Sequence, residues 1–87
     1  MDRRAHREML ARFGFSHKDR ARLRAMARRT REGGFRTLYA PWELDAPYTA
    51  LAVRPDLRGL FSGQMIGTLE GCAILVWPRP QTRLDLG

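Results

Sequence analysis

The stretch that decides the fold begins at Ser16, ends at Gly34 and reads SHKDRARLRAMARRTREGG. Ser16, followed three residues later by Asp19, resembles a capping box with Asp in place of the usual Glu. Ala, Arg and Leu favour a helix, and Gly33-Gly34 ends it. The apolar side of this helix recurs at i, i+3, i+4 and i+7 in Leu23, Met26, Ala27 and Thr30. The stretch therefore predicts an amphipathic helix over residues 17–32.

The basic residues of this helix fall on two ridges when successive residues are placed about 100° apart. The first ridge consists of Arg20, Arg24, Arg28 and Arg31, and the second of Lys18, Arg22 and Arg29. Ala21 and Ala25 lie between the ridges, opposite the apolar stripe. Only Glu32, which we expect to pair with Arg28, offsets the repulsion between neighbouring cations. Two rows of cations with small residues between them predict a surface that contacts phosphates or an acidic partner.

The residues before Ser16 predict a first helix over about 2–13. Its apolar face consists of Ala5, Met9, Leu10 and Phe13. Gly14 can take the left-handed conformation that ends a helix. The arrangement resembles a helix-turn-helix, but Leu10 then falls where a small residue is needed and Arg20 where an apolar one is needed. The pattern therefore does not predict a sequence-specific reader of DNA.

The second half of the chain predicts a small sheet. Four runs rich in β-branched, aromatic or apolar residues read as strands, at 35–39, 48–53, 64–69 and 72–77. The last two form a hairpin around Glu70-Gly71. The run from Cys72 to Trp77 is apolar throughout, which predicts a central strand covered on both faces.

The predicted fold class is α+β, with two N-terminal helices, at about 2–13 and 17–32, packed on a three- to four-stranded, mainly antiparallel sheet. A chain of 87 residues forms one domain. We assign that domain to residues 1–78, with a basic helical hairpin at 1–32 and a β-rich half at 35–78. Residues 79–87 read as a flexible tail after Pro78.

The excess positive charge lies entirely in the first 32 residues. They hold eleven basic and four acidic residues, whereas residues 33–87 hold five of each, so the net charge of +7 belongs to the helical half. Such asymmetry predicts an acidic partner, either DNA or RNA or the acidic surface of a protein. No apolar run approaches the roughly 20 residues that span a bilayer, so we expect a cytoplasmic protein without membrane contact.

Residues that could carry catalysis are few and scattered. His6 and His17 stand among arginines, Cys72 is the only cysteine, and Gly59, Gly63, Gly67 and Gly71 lack the Lys and Ser/Thr of a phosphate-binding loop. Glu43, Asp45 and Glu70 read as surface acids rather than metal ligands. We therefore expect no enzyme, metal or cofactor.

Three functions remain open at this stage. The first is a non-enzymatic nucleic-acid-binding module that uses the basic helix for phosphate contacts. The second is a small regulator or inhibitor, of the kind encoded by phages and mobile elements, that acts on an acidic protein surface or a nucleic-acid-handling machine. The third is a metal-independent ribonuclease toxin using Arg36, Tyr39 and Tyr48. Trp42 and Tyr48, in or beside loops, are candidates for base stacking or a protein interface.

Overall fold

The computed structural model describes residue 8 and residues 10–78. One helix, α1 (His17–Gly33), packs on a four-stranded sheet in which every pairing is antiparallel. The strands are β1 (Arg36–Tyr39), β2 (Tyr48–Val53), β3 (Gln64–Leu69) and β4 (Cys72–Pro78), and their order across the sheet is β1-β2-β4-β3. The predicted α+β class and antiparallel sheet are confirmed.

Of the two predicted N-terminal helices, the described residues show one with seven or more residues, which is α1. Most of the predicted helix at 2–13, like the predicted tail at 79–87, lies outside the described residues. Residues 10–12 are helical and end in a Schellman motif. In it, Phe15 N–H donates to Leu10 O at 3.2 Å and Gly14 N–H donates to Ala11 O at 3.0 Å. Gly14 has φ +77°, so the predicted left-handed ending at this glycine is confirmed.

The start of α1 is fixed by the predicted capping box. Ser16 Oγ accepts a hydrogen bond from Asp19 N–H at 3.0 Å, and the Asp19 carboxylate accepts one from Ser16 N–H at 3.4 Å. These two bonds satisfy backbone donors that the first helical turn leaves without partners. The helix therefore begins at His17, as the sequence predicts.

Asp19 also fastens the segment before β2 to the start of α1. Its side chain is completely buried and accepts hydrogen bonds from the backbone N–H groups of Asp45 and Ala46, each at 2.8 Å. Arg22 Nη1 lies 3.2 Å from the same carboxylate. A buried charge is tolerated only when hydrogen bonds and opposite charge replace its lost hydration, and here both are supplied.

The main core lies between α1 and one face of the sheet. The apolar stripe predicted on the helix is buried there. From the sheet it meets Ala50, Ala52, Cys72, Ile74 and Val76. Thr30 Oγ1 donates to Ala52 O at 3.3 Å and hydrogen-bonds the Thr37 hydroxyl at 2.8 Å. The small residues of β2 let the helix sit close to the strand, which brings this hydroxyl within reach of the backbone.

The opposite face of the sheet carries a smaller cluster. It consists of Leu51, Val53, Ala73 and Leu75, with Phe61 and Trp77 packed against it. Because β4 lies between β2 and β3, its residues Cys72 to Val76 are buried on both faces. The predicted central, doubly covered strand is confirmed. The predicted hairpin at Glu70-Gly71 is also present, since Leu69 pairs with Cys72 across it.

We expect Asp19→Asn to lower the free energy of unfolding by about 2–4 kcal/mol, because the amide places a donor against backbone donors in a buried site. Urea denaturation followed by circular dichroism measures this change. Asp56→Asn is the matched control, since Asp56 is exposed and forms a surface ion pair with Arg54 at 3.2 Å. A surface pair of this kind contributes up to about 1 kcal/mol. Equal effects of the two substitutions contradict the role assigned to Asp19.

Stability should also fall in acid through Asp19. Burial alone raises the pKa of this carboxyl, but the N–H groups of Asp45, Ala46 and Ser16 and the Arg22 guanidinium outweigh burial and hold the pKa below its ordinary value. The stabilisation is therefore complete above the pKa of an unfolded Asp, about 3.9, and is lost as the pH falls through the lower folded pKa. Urea midpoints measured between pH 6 and pH 2 should drop less steeply for Asp19→Asn. Parallel curves contradict this account.

Candidate functional site

The two ridges predicted on α1 lie on its solvent side. Ala21 and Ala25 are exposed, and the apolar stripe opposite them is buried. Five of the seven predicted ridge residues are exposed, and the other two, Arg20 and Arg22, are half-buried. The helix thus presents a basic outer face whose centre is two methyl groups.

The first ridge meets an acid from the β3–β4 hairpin. Arg28 Nη2 lies 3.5 Å from Glu70 Oε2, and Arg31 Nη1 lies 3.3 Å from Glu70 Oε1. The expected partner Glu32 instead approaches Arg31, at 4.0 Å. The prediction that Glu32 pairs with Arg28 is therefore wrong. Glu70 pairs with Arg28 because the hairpin turn lies against the side of the helix. The two residues are 42 positions apart, so their spacing in the sequence does not predict this contact.

The second ridge meets the chain that joins β1 to β2. Arg22 lies 3.2 Å from Asp19 Oδ1 and 3.8 Å from Asp45 Oδ1. Arg29 Nη2 donates to Tyr39 Oη at 2.7 Å, and its guanidinium carbon lies 5.6 Å from the centre of the Tyr39 ring. The cation–π contact orients Arg29 without neutralising it.

The side chains of Lys18 and Arg24 make no hydrogen bond or ion pair within the part of the chain that the structure describes. Arg20 is half-buried, and its Nε is a buried donor with no partner among the described residues. Within residues 10–78, four carboxylates contact the seven cations of the ridges: Asp19, Glu32, Asp45 and Glu70. The helix face therefore keeps a positive excess of about three charges, less than the sequence alone implies.

Glu70 occupies a backbone conformation that disfavours its own residue type. Its φ is +51° and that of Gly71 is +83°, the combination found in a type I′ hairpin turn. Asn and Gly adopt the first of these positions easily, whereas a Glu there is strained by about 1–2 kcal/mol. The ion pairs of Glu70 with Arg28 and Arg31 join this turn to α1 and offset part of the strain.

The two aromatic candidates lie in different surroundings. Trp42 belongs to a short 3₁₀ helix (Pro41–Glu43), and 83% of its surface is exposed. Tyr48 is half-buried, with its ring centre 5.9 Å from that of Phe13 and 5.8 Å from that of Phe15. Tyr48 thus seals the end of the core, and Trp42 is the aromatic ring that a partner can reach.

The residues considered for ribonuclease chemistry do not converge. Arg36 contacts Phe35 and Phe61 on the sheet face away from α1, with its guanidinium carbon 5.5 and 5.8 Å from their ring centres. Tyr39 points to the α1 face, where it meets Arg29. Tyr48 packs against Phe13 and Phe15, so the three side chains share no cleft.

Other chemically active side chains are inert or isolated. Cys72 is buried with Sγ 3.4 Å from Ala27 O, and burial, opposed by Arg31 and aided by Glu70, raises the pKa of its thiol. Among the described residues, no three His, Cys, Asp or Glu side chains are grouped closely enough to hold a metal ion. Within the same residues, no helix combines the length and apolar content needed to cross a bilayer.

No protein-family model, curated protein or solved structure matches this chain.

Two substitutions at Glu70 separate its strain from its ion pairs. Glu70→Gln keeps the strained turn and loses both pairs, so we expect a loss of about 0.5–1 kcal/mol in the free energy of unfolding. Glu70→Asn loses the same pairs but fits the type I′ turn, and its stability should equal or exceed that of the parent. Urea midpoints of the three proteins measure the difference. If Glu70→Asn is less stable than Glu70→Gln, the strain assigned to this turn is contradicted.

Proposed function

We propose that this protein is a non-enzymatic nucleic-acid-binding module that contacts phosphates through the outer face of α1. The observation that supports the proposal is the pair of cationic ridges flanking exposed Ala21 and Ala25. Small residues between the ridges let the helix approach a nucleic acid closely, while arginines on either side reach phosphate oxygens. The β-rich half serves as the scaffold, since residues 33–87 carry no net charge.

The internal ion pairs limit how many phosphates the outer face of α1 can contact. An excess of about three charges corresponds to roughly three phosphate contacts, which gives a log–log salt slope near −3 on duplex DNA from α1 alone. The side chains of Lys18 and Arg24 can reach a phosphate without breaking a hydrogen bond or ion pair to any described residue. Arg28 and Arg31 must leave or share Glu70 to reach a phosphate. Four further arginines, Arg3, Arg4, Arg7 and Arg12, add to the positive charge of the N-terminal third of the sequence.

The outer face of α1 is not arranged for sequence-specific contacts to bases. The helix presents its cations along its length rather than concentrating polar side chains at its N-terminus, where recognition helices contact base edges. We therefore expect binding governed by phosphate charge, with affinities in the range of non-specific binding, about 10⁻⁴–10⁻⁶ M at physiological salt.

Salt-dependent binding to a fluorescent 20-base-pair DNA and to the matching RNA tests the proposal by anisotropy. The Lys18→Ala/Arg24→Ala double variant should reduce the log–log salt slope by about 2, because each lost phosphate contact lowers it by about 0.9. The Arg54→Ala/Arg58→Ala double variant removes the same charge outside α1 and should leave the slope unchanged. No measurable binding at 20 mM salt, or equal effects of the two double variants, overturns the proposal.

Removal of the Glu70 carboxylate should strengthen binding. Glu70→Gln frees Arg28 and Arg31 from their shared partner and removes a charge that repels phosphate. We expect an affinity gain of about three- to tenfold at 50 mM salt and a steeper salt slope in the same anisotropy experiment. Glu43→Gln, which changes an exposed acid in the 3₁₀ helix outside α1, is the control. Equal gains for both variants indicate a general charge effect and contradict a surface on α1.

A further inference from the structure

The two edges of the sheet differ in how well they are protected. At the β3 edge, the pairing with β4 is interrupted by a bulge between Met65 and Gly67, and Gly67 has φ +150°. Bulges of this kind discourage another strand from pairing. At the β1 edge, all four residues pair in unbroken register with β2. β1 therefore presents a regular outer edge.

The pairing pattern shows which backbone groups of β1 face outward. Arg54 N–H donates to Phe35 O at 3.4 Å, so Phe35 and Arg54 belong to a hydrogen-bonded pair. Because such pairs alternate along an antiparallel ladder, Thr37 and Tyr39 direct their N–H and C=O groups towards β2. Arg36 and Leu38 then direct theirs away from the sheet. An added strand can bond to both residues.

Large apolar side chains are exposed in and around this edge. Leu38, within β1, is 52% exposed, and Phe35, directly before it, is 53% exposed. Trp42 follows the strand by three residues. These are three of the five large apolar side chains that are exposed among the described residues. Three exposed large apolar side chains within eight residues of the chain, beside outward-facing backbone groups, indicate an interaction surface.

Arginines stand on both faces of the sheet beside this edge. Arg36 is exposed on the face away from α1, and Arg29 is exposed over Tyr39 on the α1 face. At the beginning of β1, a cavity of about 460 Å³ opens between Arg31 and Arg54, with Glu32 also in its wall. Arg31 and Arg54 already pair with Glu70 and Asp56. A strand that pairs with β1 therefore meets unpaired positive charge mainly from Arg36 on one face of the sheet and Arg29 on the other.

We propose that the β1 edge binds an extended, acidic segment of another protein, which adds to the sheet as a fifth, antiparallel strand. The edge hydrogen bonds select an extended backbone, and the arginines select carboxylates. A second copy of this chain is disfavoured as the occupant because each copy carries a net charge of +7. The outward backbone edge of β1 is distinct from the outer face of α1, but the two surfaces share Arg29 and Arg31. A change at Leu38, which lies outside the ridges, therefore separates this inference from the proposed nucleic-acid binding.

The register predicts the pattern of the partner. A residue opposite Leu38 should be apolar, and one opposite Arg36 should be acidic, since opposed side chains share a face. A second acidic residue, opposite Tyr39, then lies on the α1 face near Arg29. Read from its N-terminus, the antiparallel segment has the order acidic, apolar, any residue, acidic.

The test uses the capped peptide Val-Thr-Glu-Val-Thr-Glu-Val-Thr, titrated into the ¹⁵N-labelled full chain. We expect saturable amide shifts centred on Arg36 and Leu38, and slower hydrogen exchange of those two amides. Replacing both glutamates of the peptide with lysine should weaken binding at least tenfold. N-methylation of the valine between the two glutamates, which removes the N–H facing Leu38, should do the same without altering the protein.

Leu38→Pro provides the matching change on the protein. It removes the outward N–H while leaving the bonds from Thr37 and Tyr39 to β2, and proline is tolerated at a sheet edge in this position. Peptide affinity should fall at least tenfold, whereas salt-dependent DNA binding should be unchanged.

Shifts confined to α1, equal affinity for the N-methylated peptide, or no saturable shift at 2 mM peptide overturn the proposal. Sedimentation of the chain alone as a dimer that Leu38→Pro dissociates also overturns it, by assigning the edge to a second copy.

Discussion

The buried carboxylate of Asp19 is the constraint on which the arrangement of helix and sheet depends. It completes the capping box at the start of α1, binds the backbone N–H groups of Asp45 and Ala46, and holds the Arg22 guanidinium. A single side chain thereby fixes where the helix begins and where the chain turns into β2. Because α1 is anchored at this end and packed on the sheet along its apolar stripe, its basic face has one possible orientation.

The distribution of acids around α1 explains how so basic a helix is stable. Neighbouring arginines repel each other along the helix, but Asp45 and Glu70 reach its two sides from the β-rich half. The halves that differ in net charge are thus joined by ion pairs. Among the described residues, the ridge cations without a carboxylate partner are Lys18, Arg20, Arg24 and Arg29. Lys18 and Arg24 are exposed and their side chains make no hydrogen bond to a described residue, which makes these two positions the natural measure of binding.

Local features of the fold could be predicted from the sequence because short-range chemistry sets them. The Ser16–Asp19 capping box, the left-handed Gly14 and the Glu70-Gly71 turn each depend on residues within a few positions of one another. The apolar stripe of α1 followed from its spacing. By contrast, the second role of Asp19, the pairing of Glu70 with Arg28 and the exposure of Trp42 depend on contacts formed only when distant segments meet. Spacing along the chain carries no information about them.

The close seating of α1 on β2 has a mechanical consequence. Ala27 faces Ala50 and Ala52 in one core, and the Thr30 hydroxyl reaches the Ala52 carbonyl, so little space remains between the helix and the strand. A helix packed this closely is held rigidly against the sheet. The backbone positions of its two cationic ridges therefore keep a constant spacing as the helix meets a partner. A partner binds well only if its negative charges already have that spacing or if it can deform to adopt it.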